Sequence, residues 1–224
     1  PIGPKTDQIV AYSYLIGGSY FLIGSAASFF EVINVGDVRS IHIVSSQRRR
    51  LWAGPSQGVS ILAYWGTLLY LVGAVLFQVA CVFPLVASAE VLSSQGYVIL
   101  YSWVPQWVGS ICFMVGSIAQ SILNRESTPA QRVWWLCMLA IVGSFAFLFG
   151  SSVGLAASLG WLTKSAHLSF WYINGPYLIG SVIFVVSGWV QMRMWKAHQF
   201  GLGFISEMNS IYAAFALPID WRQQ

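Results

Sequence analysis

Five apolar runs, 9–33, 59–83, 98–123, 133–159 and 170–195, constrain this chain more than any other feature. Each is long enough to cross a bilayer as a helix, which takes about 20 residues. No charged side chain falls near the middle of any run, and Glu31 sits at the end of the first, where its carboxylate can stay hydrated. A backbone in lipid must satisfy its polar groups within the segment, so runs of this length call for helices. The expected fold is all-α: a polytopic membrane protein of five transmembrane helices in an antiparallel bundle over 1–199, then an interfacial tail at 200–224. Composition agrees, since 8% of residues are charged and 57% hydrophobic. A typical soluble domain carries about 25% charged residues.

The connections set an orientation. Five spans place Lys5 and Lys164 on one side of the membrane. The other side receives Arg39, Arg48, Arg49, Arg50, Arg125, Arg132, Arg193, Lys196 and Arg222. Basic residues favour the cytoplasmic side, so the N-terminus is expected outside or in a lumen and the C-terminus on the cytoplasmic, stromal or matrix side. The net charge of +4 then follows from topology, and nucleic acid is not expected as a partner. The run "RRRLW", with Arg48, Arg49 and Arg50, also suits anionic lipid head groups, at about 1 kcal/mol per basic residue. The tail "QFGLGFISEMNSIYAAFALPIDWRQQ" mixes aromatics with few charges and reads as interfacial.

Inside the runs a short pattern repeats: "GGSYFLIGS", "GAVLFQVAC", "GSICFMVGS", "GSFAFLFGS" and "GSVIFVVSG". The shared form is Gly, small residue, two variable, Phe, two variable, then two small residues. Positions i, i+4 and i+7 lie along one helix face. The stripe therefore comprises Gly17, Phe21 and Gly24; Gly73 and Phe77; Gly109, Phe113 and Gly116; Gly143, Phe147 and Gly150; and Gly180, Phe184 and Ser187. Lipid tails supply no hydrophobic drive for helices to associate, so close approach at small residues has to supply it. The stripe is read as a helix-packing code.

The stretches "YWGTLLYLVGAVLFQVAC", "SWVPQWVGSICFMVGS" and "FWYINGPYLIGSVIFVVSG" resemble YrhK-type membrane domains, which occur singly in bacterial proteins and in multiple copies in larger membrane proteins. The resemblance covers about half the chain, essentially the spans. It implies a repeat-built helical membrane architecture and no catalytic residues.

Convergent polar groups are sparse. His42, His167 and His198 lie in loops or at span ends, and no hydrolase, P-loop or metalloprotease motif occurs. Cys81, Cys112 and Cys137 lie in apolar runs without metal-ligand spacing, so they are expected as buried apolar residues. The deepest amides, Gln78 and Gln120, are expected to bond across to a neighbouring helix, or to mark a pathway if one exists. Pro84, Pro105 and Pro176 lie near span ends, where prolines cap or start helices. The expectation is a non-enzymatic structural or accessory subunit of a larger membrane assembly. Membrane lipids and other membrane subunits would be its partners, with no metal or required cofactor and with room for bound lipid or pigment. The alternative is a small-solute channel or transporter formed by homo-oligomerisation.

Overall fold

A computed structural model describes residues 4–38, 60–129, 131–163 and 165–197. The basic loop with Arg48, Arg49 and Arg50, and the tail at 200–224, lie outside the described residues. Helices account for every regular element among those described. α1 spans Pro4–Val38, α2 Ile61–Val86, α3 Ala89–Ser93 and α4 Gln95–Val98. A π turn over Ile99–Trp103 leads into α5, Val104–Leu123. Then come α6 (Arg132–Ser158), α7 (Ala166–Leu168), a second π turn at Ser169–Asn174, and α8 (Gly175–Ala197).

Four helical stretches are long and apolar enough to cross a membrane: Ile61–Val86, Gln95–Leu123, Arg132–Ser158 and Ser169–Val190. The chain is thus compatible with an integral, multi-pass membrane protein. The expected first span falls within the 35-residue α1, of which Tyr14–Phe30 is an apolar helical stretch among the described residues.

Packing follows chain order. α1 lies on α2, α2 on α5, α5 on α6 and α6 on α8. α6 stops where Gly160 adopts φ 81°, a conformation that costs glycine nothing. There Trp161 N–H donates to Ala156 C=O and Gly160 N–H to Ala157 C=O, which satisfies the last carbonyls of the helix.

Pro105 and Pro176 depart from expectation, because neither starts its helix. Each sits two residues into an α-helical segment entered directly from a π turn. Val104 N–H donates to Ile99 C=O, and Gly175 N–H to Phe170 C=O, each reaching back five residues. A proline in a helix offers no N–H and crowds the carbonyl four residues back. Widening the preceding turn is one way for a helix to continue through it.

Candidate functional site

The five repeated phenylalanines meet at the centre. Phe113, 2% exposed, has the rings of Phe21, Phe77, Phe147 and Phe184 around it at centroid distances of 5.0, 6.1, 6.4 and 6.3 Å. Phe21 also meets Phe184 edge-on at 5.3 Å, and Phe77 meets Phe147 at 5.4 Å. Such edge-to-face contacts suit the ring quadrupole.

Glycines open the space for these rings. A methyl added at Gly73 would lie 2.8 Å from Gly109 C=O, and one at Gly109 would lie 2.9 Å from Gly73 C=O. Gly143 and Gly180 form the matching approach of α6 and α8, with a methyl at Gly180 falling 3.1 Å from Gly143 C=O. The Tyr70 ring lies against Gly116, and the Tyr177 ring against Gly150. These contacts pair off under an exchange of α2 with α8 and of α5 with α6.

Between α5 and α6 the seam is serine. Ser110, Ser117, Ser144 and Ser151 are each 0% exposed. Ser117 Oγ lies 2.8 Å from Ser144 Oγ, and Ser151 Oγ–H donates to Ser110 Oγ at 3.3 Å. A serine hydroxyl has one donor and two acceptor sites. Ser117 shares its one proton between the carbonyls of Phe113 and Ala140 at 2.8 and 3.1 Å, and its acceptor side meets Tyr70 OH at 2.5 Å and Ser144. The four serines are small positions of the repeated pattern, whereas sequence reasoning did not single out Tyr70 or Tyr177. The signal was present, because both tyrosines stand three residues before a stripe glycine, Gly73 and Gly180.

The remaining stripe positions behave differently. Gly17 and Gly24 point away from the bundle, with nothing within 4 Å of a methyl at either. In α1 the inward small residues stand one place later: Gly18, which faces Gln78, and buried Ser25. Ser187 on α8 is half-buried.

Gln78 bonds across to α1, its Nε2 donating to Ser19 Oγ at 2.9 Å and to Leu15 C=O at 3.5 Å. Its Oε1 is buried without a hydrogen-bond donor and presses on Gly18. Gln120 stands at the other end of the α2–α5 contact, beside Gly66. The pairing of Gly66 with Gly116 sets Gln120 opposite residue 62, so about 24 Å of helix separates the two glutamines. The structure does not bring them together. Cys81 and Cys137 are buried and Cys112 half-buried, all as free thiols. Among the described residues no group of three or more His, Cys, Asp or Glu could hold a metal ion.

One cavity of about 330 Å³ opens at the end of the bundle where both π turns lie. Ser102 and Trp103 of the first turn line it, as do Ile173 and Asn174 of the second. α2 contributes Phe77 and Cys81, and α1 contributes Tyr14. Across the cavity wall Tyr177 OH donates to Gln106 Oε1 at 2.6 Å. The indole of Trp103 is seated against Gly154, where any larger residue would strike it.

No family model matches the chain, and neither does any curated protein or solved structure.

Proposed function

We propose that this chain is a non-enzymatic five-span membrane protein that works as a structural or accessory subunit of a larger membrane assembly. Its repeated stripe would be the code that closes the bundle, in the manner of the YrhK-type domains it resembles. The observation that carries the reading is the central ring cluster. Phe113 and its four partner rings fill the place where a conduit through one protomer would run. Outward, the bundle offers large apolar side chains such as Phe145, 59% exposed, and Phe149, Trp135 and Trp189, surfaces suited to lipid and to neighbouring subunits. In this reading α1 crosses the membrane over about 9–33, placing the N-terminus outside or in a lumen and Arg48–Arg50 against anionic head groups.

The homo-oligomeric channel has less support, because Gln78 spends its amide on α1 and lies far from Gln120. Reconstitution of the purified chain into liposomes separates the two readings. The accessory role predicts no solute flux above that of empty vesicles. A flux that falls when Gln78→Leu is introduced would overturn it.

A further inference from the structure

We propose that the cavity between the two π turns is a binding site for an uncharged, planar ring compound carrying carbonyl acceptors, the chemistry of a quinone head group. The site stands whether or not the chain serves as a subunit.

Size and wall chemistry come first. About 330 Å³ lies at the lower end of the range that small-molecule sites occupy. Phe77 and Trp103 supply flat aromatic walls, and among the described residues no Asp, Glu, Lys, Arg or His lines the space. A charged ligand would lose its hydration there and gain no counter-charge, so the occupant is neutral. The polar lining carries no formal charge either: Tyr14, Cys81, Ser102, Gln106, Asn174 and Tyr177. Tyr177 donates its proton to Gln106 Oε1, which leaves both N–H donors of the Gln106 amide without a partner among the described residues. Ser102 and Asn174 can donate or accept, whereas Gln106 is left with donors only, so a ring carbonyl on the ligand matches it.

Two further observations single out this end of the bundle. The exchange that relates α2–α5 to α8–α6 pairs Tyr70 with Tyr177, yet the two hydroxyls behave differently. Tyr70 OH closes inward onto Ser117, and Ser117 in turn meets Ala140 C=O. Tyr177 OH instead reaches Gln106, which occupies the place matching Ala140, and the cavity lies beside that bond. Both ends of the seam are hydrogen-bonded, Ser117 to Ser144 and Ser151 to Ser110, but only at the second does the phenol bond an amide that lines a cavity. In addition, both irregular helical turns of the described residues border this cavity. Widened turns within membrane helices are found where backbone lines a cavity, and π turns are frequent at functional sites.

The test is calorimetric titration of the full chain in lipid nanodiscs with tetramethyl-1,4-benzoquinone, and separately with a sulfonated naphthoquinone. The expected result is saturable one-to-one binding of the neutral quinone and none of the sulfonate. Gln106→Leu should weaken binding about tenfold, the value of one buried hydrogen bond. Ser102→Phe, which fills the cavity from the half-buried π turn, should abolish it. Unfolding midpoints verify that each variant is folded, and if Gln106→Leu does not fold, Ser102→Phe decides. Absence of saturable binding, equal binding of the sulfonate, or unchanged affinity in folded Ser102→Phe would each overturn the proposal.

Discussion

Gly73 and Gly109 lie so close across α2 and α5 that a methyl on either would meet the other's carbonyl oxygen, at 2.8 and 2.9 Å. The obstacle is backbone, so the helices themselves would have to part. Gly73→Ala or Gly109→Ala should therefore destabilise the bundle by about 1–3 kcal/mol. Gly17→Ala and Gly24→Ala, where nothing lies within 4 Å, should be neutral or stabilising, by up to about 1 kcal/mol from helix propensity. Denaturant titration in micelles compares the four. Equal effects at all four positions would contradict the packing described.

Phe113→Ala should be the most damaging single truncation in the core, because its ring meets four other stripe rings and Tyr70. In water such a change costs about 3–5 kcal/mol. Here the transfer part is weaker, since lipid is as apolar as the core, so the loss should lie at the lower end of that range. Outward-facing Phe145→Ala should cost well under half as much in the same unfolding assay.

How much of this was legible can be judged from particular positions. The rings of Phe21, Phe77, Phe113, Phe147 and Phe184 could be picked out because a large side chain flanked by small ones recurs at one helical spacing. The register of α1 could not, since "GGS" offers adjacent glycines about 100° apart around the helix and periodicity does not choose between them. The inward position is Gly18, selected by the bulk of Gln78 on the neighbouring helix. The cavity was hidden for a related reason: Gln106 and Tyr177 stand 71 residues apart in the chain and share a site only once α5, α6 and α8 are packed. A clue to the π turns did exist, because Pro105 and Pro176 each precede a stripe glycine, Gly109 and Gly180, by four residues.

Ser117 joins three helices, through Tyr70 on α2 and Ser144 and Ala140 on α6. Ser117→Ala should cost about 1 kcal/mol, the typical worth of a hydrogen bond inside a membrane bundle. Combined with Tyr70→Phe, the loss should be less than the sum of the two singles, because both remove the same bond. A double-mutant cycle by unfolding checks this, and strict additivity would count against the hub.

Gln78→Leu should loosen α1 from α2 by about 1 kcal/mol through loss of the bond to Ser19, and Ser19→Ala should do the same. The double variant should be no worse than either single. Hydrogen exchange over α1 reads the loosening directly, and an unchanged α1 in Gln78→Leu would contradict the contact.

Native mass spectrometry of the protein extracted in a mild, lipid-preserving detergent tests the proposed role most directly. The account predicts that the chain leaves the membrane with heterologous subunits in fixed stoichiometry. A clean monomer, or a homo-oligomer of this chain alone, would contradict it.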